Sequence, residues 1–210
     1  MITTIPNLQF LGIYIHDSIN WSCHIEYIIP KLSSACYIMR SIKPFVSLNT
    51  LKTTCCSMVY GLPFWGNSPH SLKLFRMQKR IIRIMIVCTR KSRVSYRNLF
   101  RRLEILPFVS QCILSLMFFM VTNKNLFILS SENHTKSTRQ FNNLYQPVTD
   151  LTIYQRGVYN VGIKIFNNLP PYIKDISNDV RKFESCLKQF LHIHSFYSIE
   201  EYLQYKSITS

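Results

Sequence analysis

Acidic residues are what this chain has least of. Its 210 residues hold 10 Asp and Glu against 25 Lys and Arg, for a net charge of +15. No two of the four aspartates, Asp17, Asp150, Asp175 and Asp179, are adjacent, and all fall in turn or linker settings. A two-metal phosphoryl-transfer centre needs clustered carboxylates, so none is expected from this set. Five glycines are thin provision for a phosphate-cradling nucleotide fold. The seven cysteines are odd in number, two are adjacent, and no C-x-x-C occurs. That excludes a disulfide framework and a zinc ribbon, and predicts reduced core thiols in an intracellular protein, cytoplasmic or nuclear. No basic segment precedes an apolar run at the N-terminus, so no signal peptide is read. The most apolar run, Cys112 to Val121, is interrupted only by Ser115 and is far shorter than the ~20 residues of a spanning helix. It predicts a buried helix. Serine and cysteine nucleophiles lack a His and an acid at motif spacing, so a hydrolase is not supported.

What is present is apolar and basic. Hydrophobic residues make up 47% of the chain, enough for a packed core. The surplus of positive charge, with a pI of about 9.7, favours a polyanionic partner, either nucleic acid or an anionic membrane. Eleven of the 25 basic residues lie between Ser71 and Leu103, with no Asp or Glu among them. On a helical wheel Lys73, Arg76, Lys79, Arg80 and Arg83 fall within about 120°. Leu74, Met77, Ile81, Ile84, Met85 and Cys88 fall opposite. Arg90, Lys91 and Arg93 then form an exposed arm or tight turn, and a second helix over about 96–103 carries Arg97, Arg101 and Arg102. Lys73, Arg76, Lys79, Arg80, Arg83, Arg90, Lys91, Arg93, Arg97 and Arg101 are the candidate nucleic-acid contacts: lysine and arginine at helical spacing suit backbone phosphates. The alternative is a basic face that only keeps the chain soluble.

Taken in order, residues 2–15 read as extended chain punctuated by Pro6-Asn7 and Gly12. Ser22 is a candidate cap for a helix over 23–42 that Pro30 should kink. Ser47 or Asn49 can cap a second helix, ended by Gly61-Leu62-Pro63, with Trp65 as a core anchor in the turn that follows. Ser68 and Ser71 can cap the basic helix, Pro107 should stop the helix over 96–103, and 108–122 is the buried helix. Residues 130–147 lose periodicity and read as a polar linker. The last helix is expected over 180–192, with Phe183, Leu187, Phe190 and Leu191 on one stripe. Tyr37 and Tyr60 are expected in the core, Cys55-Cys56 in helix packing, and His24 packed beside Trp21. His192 and His194 with Cys186 lack the spacing of a metal site.

Several of these blocks resemble the segment that follows the catalytic palm in non-LTR retrotransposon reverse transcriptases of the jockey-like kind. Phe10-Leu11-Gly12-Ile13-Tyr14-Ile15, Asp17, Ile19, Trp21 and His24-Ile25 resemble the family's "YLGI-x-ID-x-x-L-x-W-x-x-H-I" hairpin. His16 precedes Asp17 here, and Ile19 replaces the usual Leu. Lys31-Leu32, Tyr37 and Arg40 resemble the first thumb helix. Leu51 through Tyr60-Gly61 and Trp65-Gly66 resemble the next helix and turn. Leu74 with Gln78-Lys79-Arg80 and Ile81-Ile82-Arg83 resembles the "L-x-x-x-Q-K-R-A-I-R-I-I" helix, and Leu99-Phe100, Leu103 and Ile105-Leu106-Pro107 the connection after it. Gly157, Gly162, Phe166-Asn167-Asn168-Leu169-Pro170 and Ile173 resemble a later block in which Phe166 stands for the usual Trp. Residues 196–202 resemble its tail. The match runs, in order, over nearly the whole chain.

The resemblance implies a mostly α (α+β) fold: an end-of-palm, primer-grip hairpin over 1–20, a helical thumb-like domain over 21–129, a polar linker over 130–147 and a C-terminal helical subdomain over 148–210. It implies primer-grip residues at Leu11, Gly12, Ile13, Asp17, Trp21 and His24, and template–primer, RNA and DNA, as partner. A duplex with an RNA strand is held by shape and backbone contacts. The family's "Y/F-x-D-D" turn is missing, so the chain is expected to begin inside the palm, to lack catalytic residues, and to rely on the rest of the polymerase for Mg²⁺ and synthesis. Two rivals stand beside this expectation: a stand-alone or domesticated nucleic-acid-binding protein, and a basic helical protein that binds other proteins or a membrane surface.

Overall fold

Asn7–Phe10 (β1) and Ile13–His16 (β2) form an antiparallel hairpin in which Leu8 faces Ile15 and Phe10 faces Ile13. The computed structural model describes residues 7–10, 12–16, 21–57, 61–86, 94–129, 143–148, 150–151, 155 and 157–209. Gly12 turns the hairpin at φ +80°, a conformation L side chains rarely adopt. The rest of the described chain is mostly helical.

Ser22–Ile42 (α1) begins one residue before the expected start. Ser22 is not its cap; Trp21 holds that position at φ 62°, and its carbonyl accepts from the Ile25 N–H at 3.1 Å. The helix runs on through Pro30. Pro30 cannot donate to the Glu26 carbonyl, and both residues lie on the exposed side, where water can serve that carbonyl instead. His24, Ile25, Leu32, Cys36 and Met39 form the buried stripe. Tyr37, expected in the core, is 73% exposed because it lies off that stripe.

Ser47 caps Leu48–Ser57 (α2): its hydroxyl accepts from the Thr50 N–H at 3.2 Å. Leu62-Pro63 opens a short helix, Leu62–Trp65 (α3), where a turn was expected. Proline at a helix start loses no hydrogen bond, which reconciles Pro63 with a helix. Gly61 sits at φ +72°, and a Cβ there would lie 2.7 Å from Ile13 Cδ1. Ser68 caps a single 3-10 turn, Pro69–Ser71, rather than the basic helix. Ser71 occupies the cap position of Leu72–Met85 (α4), but its hydroxyl donates back to the Ser68 carbonyl at 2.6 Å.

Tyr96–Leu103 (α5) has the predicted limits. It ends at Glu104, in the left-handed region at φ 54°, three residues before Pro107. Phe108–Thr122 (α6) is the expected buried helix, with Ile113 and Met117 fully covered. Among the described residues no single helix is long and apolar enough to cross a membrane.

Contacts divide the chain after Phe108. One unit holds 1–61 and 65–108, and the other holds 62–64 and 109–210. In the second, Leu129 bridges Leu144. The Asn167 amide brackets Leu144, accepting from its N–H at 2.8 Å and donating to its carbonyl at 2.9 Å. The end of the expected polar linker is thus pinned chain around a buried leucine; residues 130–142 lie outside the described residues. Val158–Asn167 (α7), Pro171–Asp175 (α8) and Val180–His194 (α9) follow. Asp179 caps α9, accepting from the Lys182 N–H at 3.1 Å. Phe183, Leu187, Phe190 and Leu191 are buried, as their spacing predicted. The helix over 180–192 is not the last, however: Ile199–Thr209 (α10) packs back, and the Tyr202 hydroxyl donates to the Ile165 carbonyl at 3.0 Å.

Candidate nucleic-acid interface

The amphipathic reading of α4 accounts for its placement. Leu74, Phe75, Met77, Gln78, Ile81, Ile82 and Met85 are buried, and Lys73, Arg76, Arg80 and Arg83 are exposed. Its main packing partner is α1, with α2 and α5 beside it. Gln78 is the polar member of the buried face. Its amide donates to the Leu106 carbonyl at 2.9 Å and accepts from the Phe108 N–H at 2.7 Å, so both ends are satisfied. The Lys43 ammonium donates to the Ile84 carbonyl, covering an open carbonyl in the last turn of α4.

The basic residues do not form the uniform face the wheel suggested. Arg76, Arg80 and Arg83 line one open concavity of about 410 Å³ with Arg40 from α1, Tyr96 from α5 and Ile84. Ile84, expected on the apolar side, is half-buried at the edge of that side. Lys79 is also half-buried; its ammonium lies 4.2 Å from the centre of the Phe75 ring and 5.5 Å from that of Tyr96. Burial, and then the charge of Arg76, lower its pKa from the usual lysine value. The Arg83 guanidinium stands 4.6 Å from the Tyr96 ring centre, a cation–π distance. Lys73 is exposed on α4 and does not line the concavity. On α5, Arg97 is half-buried while Arg101 and Arg102 are exposed. Arg90, Lys91 and Arg93 lie outside the described residues, as do Cys88 and Tyr60, and the side chains of Cys55 and Cys56.

Of the hairpin residues singled out above, Leu11 and Asp17 lie outside the described residues. Gly12 is exposed with open space around it, whereas Ile13 is directed at Gly61 beside Trp65. His24 is 2% exposed, and its Nδ1 accepts from the Tyr14 N–H at 3.3 Å. Its ring meets Trp65, not Trp21, edge-on with centres 5.3 Å apart. His24 therefore fastens β2 to α1. Trp65 is 1% exposed, which ends any base-stacking role for it and leaves the core-anchor reading.

Nδ1 of His24 is an acceptor, so the neutral ring carries its proton on Nε2, which is buried and has no partner among the described residues. Burial lowers the pKa of His24 from 6.5. A protonated Nδ1 would face the Tyr14 N–H, donor against donor. The unfolded chain therefore binds this proton more readily than the folded one. Stability from the neutral ring is present above pH 6.5 and falls as pH drops toward the lowered folded value. The slope is at most about 1.4 kcal/mol per pH unit. Urea unfolding at pH 7.5, 6.0 and 5.0 should show this decline for the wild type and a shallower one for His24→Asn. Parallel curves for the two proteins would remove His24 from the account.

Among the described residues no group of three or more His, Cys, Asp or Glu side chains could hold a metal ion. Asp175 ends α8 and Asp179 caps α9. The His194 ring packs against Phe190 and Tyr205, with centres 4.5 and 4.4 Å away. Comparison with family models, curated proteins and solved structures returns no match for this chain.

Proposed function

We propose that this chain is a template–primer-binding part of a reverse transcriptase of the non-LTR kind, and that it holds the sugar–phosphate backbone on the basic surface of α4. The observation that carries the reading is the convergence of Arg40, Arg76, Arg80 and Arg83 on one open concavity. The order and spacing of the sequence blocks supply the family. Guanidinium forks match phosphate oxygens in pairs and read backbone, not base sequence, which suits a polymerase that must copy any template. Carboxylates, Mg²⁺ and nucleotide selection belong to the palm and fingers of the parent enzyme, which are the expected protein partners. The reading places the chain inside the cell, where its nucleic-acid partner is.

Binding to a fluorescent RNA–DNA primer–template across a salt series tests this. About five phosphate contacts give a slope of about −4 in log affinity against log salt. A flat dependence would overturn backbone binding. In primer extension with Mg²⁺ the isolated chain should make no product; robust synthesis would show catalytic groups that this reading assigns elsewhere. Sedimentation with anionic vesicles that survives competing RNA would favour a membrane-surface protein instead.

A further inference from the structure

Among the described residues the concavity is lined by Arg40, Arg76, Arg80, Arg83, Ile84 and Tyr96, so the four cations they contribute are all arginines. The chain has 13 lysines and 12 arginines, so composition alone does not favour that choice. None of the described lining residues is acidic. Arginine stays protonated at any physiological pH, so four neighbouring guanidinium groups cannot relieve their repulsion by losing a proton. An anion can relieve it. A planar fork also binds two phosphate oxygens at once, where an ammonium acts as a point charge. Arg83 is steadied against the Tyr96 ring, which restricts where its fork can point.

We propose that this concavity is a discrete site for vicinal phosphates, meaning two or more phosphate groups linked in sequence, and that Arg40 is a specificity-determining member of it. The proposal rests on the nucleic-acid reading above and names the part of the ligand seated here. The same chemistry occurs in the consecutive phosphodiesters of a strand and in a free polyphosphate. A single basic helix attracts both as a diffuse field. Arg40 changes that, because it comes from α1 and meets the α4 arginines only through the packing of the two helices. The concavity, at about 410 Å³, has room for more than one phosphate group, so an orthophosphate or sulfate should engage fewer of the arginines than a linked pair does.

The test is a calorimetric titration of the full chain with tripolyphosphate, pyrophosphate and sulfate at constant ionic strength. The proteins are the wild type, Arg40→Lys, Arg40→Ala and, as a control on α9, Lys188→Ala. Tripolyphosphate should bind at least about 10-fold tighter than sulfate, and Arg40→Lys should lose at least about 10-fold at unchanged charge, because its fork is gone. Lys188→Ala should match the wild type. Arg40 is exposed, so both of its variants should keep the wild-type circular dichroism.

Anions that rank by charge alone, together with Arg40→Lys binding like the wild type, would overturn the proposal. A second arm adds tripolyphosphate to the complex with a labelled single strand. Displacement identifies the strand's own phosphates as occupants; tight binding without displacement identifies a free polyphosphate. Failure here leaves the nucleic-acid reading testable by itself. Primer–template binding that is salt-steep while Arg40→Lys has no effect would overturn only the discrete site.

Discussion

Trp65→Ala should destabilise the chain by about 3–5 kcal/mol, the usual range for removing a buried tryptophan or phenylalanine. Trp65 is 1% exposed, and its ring meets His24 at 5.3 Å and Phe108 at 6.0 Å. A Cβ on Gly61 would come within 3.4 Å of its Nε1. The ring thus touches α1, the start of α6 and the neighbourhood of β2 together. No single partner can collapse into the space it would leave. Guanidinium unfolding followed by circular dichroism measures the loss, and Trp65→Phe should recover much of it. A change below about 1 kcal/mol would show the site closing over the cavity and would remove Trp65 from the core.

The second large effect concerns binding. Lys79→Ala, Arg80→Ala and Arg83→Ala combined should weaken primer–template binding by about 10²–10³ at low salt and shrink the salt slope by about 3, if each residue neutralises one phosphate. Arg80 and Arg83 are exposed, so their loss should leave the fold intact, at the small cost of the Arg83 contact with Tyr96. Lys79 lies against Phe75 and Tyr96, so its removal should carry a small stability cost as well. The Arg80→Ala, Arg83→Ala double variant separates the two effects, and should show about two thirds of the slope change with only the small stability cost of the lost Arg83–Tyr96 contact. Binding indifferent to all three residues would mean that the positive surface serves another partner.

The limits of α6 were legible in the sequence because a continuous apolar run follows Pro107, and those of α5 because one apolar period runs through it. The buried stripe of α9 was legible for the same reason. Helix ends were harder. Trp21 at the start of α1 and Glu104 at the end of α5 hold left-handed conformations that their residue types do not advertise. Pro30 lies on the outer side of α1, where its lost hydrogen bond is tolerable, and a wheel drawn for α1 could have shown this. The candidate site was half legible. Periodicity located the α4 arginines, but Arg40 stands 36 residues before Arg76 in the numbering and joins them only when α1 packs on α4. Its one local signal was position: Arg40 follows Cys36 by a helical turn, and Cys36 is on the buried stripe. The rings of Phe75 and Tyr96 beside Lys79 were not legible from a wheel, which records direction alone.

Gln78 is keyed at both ends into the chain between α5 and α6, through the Leu106 carbonyl and the Phe108 N–H. An apolar side chain there could let α4 roll about its long axis, since greasy contacts slide at little expense. A primary amide gripping one donor and one acceptor cannot be turned without breaking both bonds in a dry setting. The key therefore indexes the helix like a shaft in a slotted hub. It sets the azimuth at which Arg76, Arg80 and Arg83 leave the surface, so a buried glutamine decides where the guanidinium groups point.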